Sequence, residues 1–288
     1  MDSKDFLKSI LRGVGQVMLQ KNAVTGIFFL IGIFYASSLA GISALVGVIV
    51  STLTAIILKY DKKDIEDGLY GFNGVLVGIA MSVMFISTTA LLAVITAGAV
   101  VSTLVMHYMH KHKMSPYTFP FVLTTWIAIL LINKFQISPA VSQGIISNSP
   151  QHFLWGVSFG FSEVMLLSSV VTGIFFLIGI WINSRLFALH ALIGSIVGMS
   201  MALLFFPELQ TMAYLGYFGF NAVLASIVFT EKKLSSLIFS LIPIAFSVVI
   251  TGKFIQLGLP GLTAPFVFAV WLTFYIKKHH LRLKMTKV

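Results

Sequence analysis

The sequence predicts an all-α integral membrane protein built from two repeats of inverted topology, with a pore between them. Hydrophobic residues make up 58% of the 288 residues and charged residues only 10%, whereas soluble domains carry about a quarter charged residues. Residues 24–33, with the sequence VTGIFFLIGI, recur letter for letter at residues 171–180. So few charges cannot cover a water-facing surface, and the recurrence indicates two related halves.

The repeat extends along the whole chain and keeps its order. Residues 16–19 match 163–166, the Gly-Phe-Asn segment at 71–73 matches 219–221, and the Thr-x-Pro-Phe segment at 118–121 matches 263–266. We therefore divide the chain into a first repeat, residues 1–148, and a second repeat, residues 149–288.

Each half contains six apolar runs. They lie near residues 6–20, 23–38, 40–58, 69–86, 88–108 and 118–133, and near 153–169, 171–184, 186–206, 214–229, 234–251 and 264–276. A helix needs about 20 apolar residues to cross the hydrocarbon core, and several runs are shorter or contain Gly and Pro. We expect about five transmembrane helices and one re-entrant half-helix in each half. An odd number of crossings inverts the second half relative to the first.

The basic residues predict the orientation. The net charge is +10, and the cations flank apolar runs, which favours a membrane over a nucleic acid as the partner. With the Gly-Phe-Asn segments taken as re-entrant, the cytoplasmic segments carry Lys4, Lys8, Lys111, Lys113, Lys232, Lys233 and the basic tail from residue 277. The expected outer segments carry Lys21, the loop 59–67, Lys134, Arg185 and Lys253. The excess of positive charge on the first set predicts that both termini are cytoplasmic. The polar first eight residues predict no cleavable signal peptide.

The paired Gly-Phe-Asn segments are the first candidate site. Broken backbone at membrane depth is tolerated where it lines a watery cavity or is buried in protein, and matching breaks in two halves point to a binding site. The alternative is close helix packing, with Asn73 and Asn221 capping the helices that follow. We favour the pore-lining interpretation.

Thr118 and Thr263 are the second candidate pair, and two interpretations stay open. Thr is a good helix N-cap and Pro suits the first turn of a helix, so capping explains each copy. Alternatively, an inverted repeat places both hydroxyls near a shared midplane.

Glu163 is an acid within an apolar stretch, and its repeat partner is the neutral Gln16. An acid at membrane depth is costly, so a functional role is the default. The change of charge between the halves favours hydrogen bonding over ion pairing. His190 is expected to be packed or hydrogen-bonded, and His107, His110 and His112 are expected in a short solvated basic loop.

The sequence contains no Walker motif, catalytic triad spacing or metal signature. It also contains no cysteine, which excludes thiol chemistry and cysteine-ligated metals. We therefore expect no enzyme activity, no cofactor and no coupling to ATP.

The segment LPGLTAPF at 259–266, together with the paired Gly-Phe-Asn segments, resembles the urea transporter family, whose signature is Leu-Pro-x-x-Thr-x-Pro-Phe. The first half keeps Thr-x-Pro-Phe at 118–121 but has Met-Ser at 114–115 in place of Leu-Pro. The resemblance covers the chain from Gln16 to Trp271. In length and charge, the chain is similar to a compact bacterial member of the family. It implies a homotrimer in the inner (plasma) membrane, each subunit conducting urea passively through its own pore.

The resemblance also implies roles for particular residues. Gln16 and Glu163 would lie at the two pore mouths, Thr118 and Thr263 at the central constriction, and Phe72 and Phe220 as aromatic walls. The lining would be completed by Val17, Leu76, Val164 and Leu224. Backbone carbonyls, the threonine hydroxyls, Gln16 and Glu163 would then form a row of acceptors that replaces the hydrogen bonds urea loses on leaving water.

Three functional hypotheses follow. The first is a passive urea channel, favoured by the doubled Thr-x-Pro-Phe and the absence of an energising motif. The alternative is a secondary transporter of another small polar solute, coupled to protons through Glu163. A membrane scaffold without transport ranks last, because it leaves the doubled broken segments unexplained.

Overall fold

The computed structural model describes residues 1–85, 89–134 and 152–285, and all regular secondary structure there is helical. The helices of the first half are α1 Ser3–Gln16, α2 Ala23–Ala36, α3 Ser38–Ile57, α4 Lys62–Glu66, α5 Gly71–Met84, α6 Thr89–Lys111 and α7 Phe119–Lys134. Those of the second half are α8 Phe153–Ser162, α9 Val170–Asn183, α10 Arg185–Phe205, α11 Gln210–Tyr214, α12 Gly219–Val228, α13 Leu234–Gln256 and α14 Ala264–Met285. Short 3₁₀ turns lie at Glu163–Met165 and Pro207–Leu209.

Long apolar helices confirm the predicted membrane fold. In the described ranges, four helices are long and apolar enough to cross a membrane, or up to six if two bent helix pairs each count as one span. The four are Ser38–Ile57, Ala90–Lys111, Arg185–Phe205 and Ser235–Gln256. Shorter apolar helices, of 14, 14 and 16 residues, are α2, α5 and α7.

The contact between α2 and α9 shows the inversion directly. The Thr25 hydroxyl donates to the Gly179 carbonyl at 2.8 Å, and the Thr172 hydroxyl donates to the Gly32 carbonyl at 2.8 Å. Residue 25 of α2 thus contacts residue 179 of α9, and residue 32 contacts residue 172, so the residue numbers run in opposite directions. These two equivalent helices are therefore antiparallel. The boundary expected at residues 148 and 149 lies outside the described residues.

The identical decapeptides form most of α2 and α9, at the interface between the halves. The rings of Phe29 and Phe176 are 4.8 Å apart. A Cβ on Gly32 would lie 3.0 Å from the Phe176 ring, and one on Gly179 would lie 3.0 Å from the Phe29 ring. The repeated glycines therefore let each helix accept the phenylalanine of its counterpart.

Contacts near α4 define one face of the molecule, which we call the first face. The Arg12 guanidinium donates to the Glu66 carbonyl at 2.9 Å, and Asp64 pairs with His110 at 3.1 Å. The end of α6 and the loop 59–67 therefore lie on the same face. The prediction that the loop 59–67 and Lys111 lie on opposite sides is wrong.

The direction of α5 explains this correction. Phe72, in its first turn, lines a cavity near the first face, whereas Met84, at its end, lines a cavity near the opposite face. We call that opposite face the second face. The Gly-Phe-Asn segment thus begins a short crossing helix rather than a re-entrant one, and α6 returns to the first face.

The half-helix of the second half is α8. The chain bends by 77° between Phe153–Met165 and Val170–Asn183. A Cβ on Gly156 would lie 3.1 Å from the Tyr214 carbonyl of α11, and α8 leads into Glu163 at the second-face cavity. α8 therefore stays near the second face, and α1 is its counterpart near the first face.

Two further cations, Lys21 and Arg185, lie on the face opposite to the one predicted. Asn183 donates to Gln20 at 2.7 Å, and Asn22 donates to Asn183 at 3.1 Å. The start of α2 and the end of α9 are therefore together on the first face. The prediction that Lys21 and Arg185 lie outside, opposite the cytoplasmic cations, is wrong.

Candidate functional site

Two cavities enter the molecule from opposite faces. The first cavity, near the first face, has a volume of about 800 Å³, and the second, near the second face, about 330 Å³. Their linings include residues at equivalent positions of the two halves. In the first cavity these are Gln16, Leu19, Phe72, Met106 and Tyr117, and in the second they are Glu163, Leu166, Phe220, Thr251 and Leu262.

The two predicted mouth residues are each held by a hydrogen bond. The Gln16 amide donates to the Asp67 carbonyl at 3.0 Å. Glu163, which is 5% exposed, accepts a hydrogen bond from the Ser168 hydroxyl at 2.6 Å. Gln16 and Glu163 thus have the same place in the two halves but different partners.

Thr118 and Thr263 meet between the cavities. Their hydroxyl oxygens are 2.7 Å apart, and the residues are 3% and 2% exposed. The residue before each one, Tyr117 and Leu262, lines the first and the second cavity respectively. Of the two interpretations left open by the sequence, the structure favours hydroxyls that meet at the junction of the halves.

Asn73 and Asn221 hold the threonine segments in place. Asn73 accepts from the Phe121 backbone N–H at 3.1 Å, and Asn221 accepts from the Phe266 backbone N–H at 3.0 Å. Each asparagine therefore caps the helix that begins with x-Pro-Phe rather than the helix that follows it in sequence. Asn221 also lines the second cavity.

The left-handed backbone of Tyr117 and Leu262 was not predicted from the sequence. Their φ angles are 46° and 48°, a left-handed conformation that is rare and costly for bulky residues. Asn73 and Asn221 donate to their carbonyl oxygens at 3.5 and 3.4 Å. Neither residue type predicts this conformation, so the recurring asparagine was the only available signal.

Each half also reaches into the other through a tryptophan. The Trp126 indole donates to the Pro260 carbonyl at 2.7 Å, and the Trp271 indole donates to the Ser115 carbonyl at 2.8 Å. Pro260 lines the second cavity and Ser115 the first. These reciprocal bonds tie the loop before each threonine to the opposite half.

The remaining predicted site residues divide into two groups. Phe72 lines the first cavity and Phe220 lines the second. Four others, which were expected to complete the lining, are instead buried in the protein core, each at most 1% exposed and lining neither cavity: Val17, Leu76, Val164 and Leu224.

The histidines were only partly predicted. His107 and His110 belong to the last turns of α6 rather than to a loop, because the helix continues to Lys111. His107 stacks on Tyr60 with ring centroids 3.6 Å apart, and its Nδ1 is 3.2 Å from the Tyr70 hydroxyl. His190 is fully buried, with its Nε2 3.3 Å from the Ser236 hydroxyl, as expected of a packed histidine.

The two cavities differ in charge. Besides neutral residues, the first cavity is lined by Asp61, Asp64, His107, His110, Lys111 and Lys113. Glu163 is the sole charged residue of the second cavity lining in the part of the chain that the structure describes. The described residues contain no group of His, Cys, Asp or Glu suited to a metal ion.

Comparison with known proteins decides the family. The urea transporter family model matches residues 7–278. The chain belongs to the urea transporter family. Its members transport urea across membranes and are not enzymes, which confirms the predicted substrate and class.

Mammalian relatives align over most of the chain. Urea transporter 1 of Ovis aries is 27% identical over 297 residues, covering 93% of this chain and 76% of the relative. Urea transporter 1 of Mus musculus is 28% identical over 244 residues, covering 77% of this chain and 62% of the relative. The chain thus spans less than two thirds of the mouse relative's length.

We expect Asn221→Ala to lower both stability and urea flux. The substitution leaves the buried Phe266 N–H and the Leu262 carbonyl without their partner, at a cost of about 2 kcal/mol. Thermal unfolding in detergent measures the first effect, and stopped-flow light scattering of proteoliposomes measures the second. Gln256→Ala, at an exposed position outside both cavity linings, is the control. An Asn221→Ala protein with the melting temperature and flux of the control would contradict this role.

Proposed function

We propose that urea crosses this protein passively, from the first cavity, past Thr118 and Thr263, into the second cavity. The observation that carries the proposal is the 2.7 Å contact between the two buried hydroxyls. It lies between the two linings, because Thr118 directly follows Tyr117 of the first cavity and Thr263 directly follows Leu262 of the second. No residue in the described ranges lines both cavities, so the threonines form the constriction of the path.

The chemistry of the lining fits a small neutral solute with many N–H donors. Urea loses its hydrogen bonds to water on entering a narrow pore, and unpaired donors are costly unless acceptors replace that water. Gln16, the threonine hydroxyls and Glu163 supply such acceptors in sequence along the path. Phe72 and Phe220 add flat apolar walls, one in each cavity.

The constriction suits passage without an energy source. Parting the threonine hydroxyls breaks a neutral hydrogen bond with a net worth of about 1 kcal/mol, and urea replaces it with bonds of its own. Neither threonine carries a charge, so an ion finds no compensation there for its lost hydration. Glu163 is titratable, but its equivalent in the first half, Gln16, is not. A proton relay through both mouth residues is therefore not favoured.

The orientation follows from the distribution of cations over the two faces. Tracing the helices places Lys134 and Lys253 on the second face, because α7 and α13 end there. The first face carries Lys21, Lys59, Lys62, Lys63, Lys111, Lys113, Arg185, Lys232, Lys233, Lys277 and Lys278. By the positive-inside rule, the first face is cytoplasmic, and so are both termini.

For the assembly and the location, the resemblance to the urea transporter family supports a further proposal. We propose a homotrimer in the inner (plasma) membrane, with one urea path in each subunit. Exposed apolar side chains on α2 and α3, such as Ile31, Ile42 and Ile57, offer surface for lipid and for neighbouring subunits.

We expect Thr118→Val and Thr263→Val each to reduce urea flux about tenfold, because valine keeps the shape but loses the hydrogen-bonding oxygen. Initial rates of stopped-flow light scattering, normalised to protein reconstituted, measure the effect. Thr273→Val is the matched control, since that buried hydroxyl bonds to the Ala269 carbonyl of its own helix at 2.8 Å. Flux unchanged in both constriction variants would remove the threonines from the path.

We expect cysteine labelling to place the first face inside. The chain has no cysteine, so Lys63→Cys and Gln256→Cys each introduce a single exposed thiol. In right-side-out spheroplasts, a membrane-impermeant maleimide labels the cysteine at position 256, whereas position 63 is labelled only after lysis. The reverse pattern would invert the orientation.

A further inference from the structure

The turn after each mouth residue has the same backbone in both halves. The Leu19 N–H donates to the Gln16 carbonyl at 2.9 Å, and the Leu166 N–H donates to the Glu163 carbonyl at 3.0 Å. Leu19 and Leu166 have φ angles of 60° and 56°, so both turns reverse through a left-handed residue. The turn of the second half brings Ser168 back beside Glu163.

In the second half, the side chain of Ser168 contacts the mouth residue Glu163 directly. The Ser168 hydroxyl donates to Glu163 Oε1 at 2.6 Å, the length typical of a strong hydrogen bond from a hydroxyl to a carboxylate. Ser168 is exposed and lines the second cavity beside the buried Glu163. It is the one hydrogen-bond partner that the described residues give to this carboxylate.

In the first half, the mouth residue Gln16 is held in place by different residues. Lys21 has the position equivalent to Ser168 and pairs with the Asp67 carboxylate. The Asp67 carbonyl in turn accepts the Gln16 amide hydrogen bond at 3.0 Å. Gln16 is thus fixed through the amide nitrogen, which leaves the amide oxygen as an acceptor.

We propose that Ser168 is a positioning residue for urea in the second cavity. By holding one carboxylate oxygen of Glu163, it fixes the side chain so that the other oxygen accepts an N–H of the passing solute. This role rests on the proposed urea path and adds a residue that the mouth and constriction do not include. The first half needs no such serine, because Lys21 and Asp67 fix Gln16.

Ser168→Ala and Ser168→Thr test the proposal in proteoliposomes. Alanine removes the hydroxyl and is expected to lower urea flux about tenfold, whereas threonine keeps the hydroxyl and restores at least half of the wild-type flux. Ser240→Ala is the matched control, because that hydroxyl bonds to the Leu237 carbonyl of its own helix at 2.7 Å. Equal flux in Ser168→Ala and the control overturns the proposal, as does equal loss in the alanine and threonine variants.

A double-mutant cycle separates positioning from a structural role. If Ser168 acts through Glu163, then Ser168→Ala has no further effect on flux in a Glu163→Ala background. An undiminished tenfold loss in that background overturns the proposal. Wild-type vesicles with no urea flux above lipid would instead refute the urea path itself, so the two failures are distinguishable.

Discussion

The hydrogen bond between Thr118 and Thr263 joins the two halves where their cavities approach each other. Each threonine directly follows a bulky residue in a left-handed conformation, Tyr117 in the first half and Leu262 in the second. Asn73 and Asn221 stabilise that conformation. Each donates a hydrogen bond to the carbonyl of the left-handed residue and accepts one from a backbone N–H in the first turn of α7 or α14. The tryptophan bonds from the opposite half hold the same loops.

The halves share one backbone but differ in the chemistry of their mouths. The first cavity is large and carries acids, histidines and lysines, whereas the second is smaller and has a buried carboxylate. The same left-handed turn follows both mouth residues, so the difference is carried by side chains at equivalent positions. In the proposed path, the inverted repeat thus gives a symmetric centre and two chemically distinct ends.

Sequence periodicity and internal repetition predicted the all-helical fold, the inversion and the pairing of Gln16 with Glu163, because apolar runs and matching segments are local signals. The hydroxyl contact was available only as an alternative, since a threonine before x-Pro-Phe caps a helix equally well. The predicted side of the loop 59–67 was wrong because a short crossing helix and a re-entrant helix have similar apolar compositions. The left-handed Tyr117 and Leu262 were missed because their strain is stabilised by asparagines distant in sequence.

The initial rate of urea influx into proteoliposomes is the decisive measurement for passive urea transport by this protein. We predict a flux well above that of lipid alone, proportional to the urea gradient and unchanged by an uncoupler, which ends when the internal and external urea concentrations are equal. Flux equal to that of lipid alone, or accumulation against a gradient that collapses with an uncoupler, would contradict it.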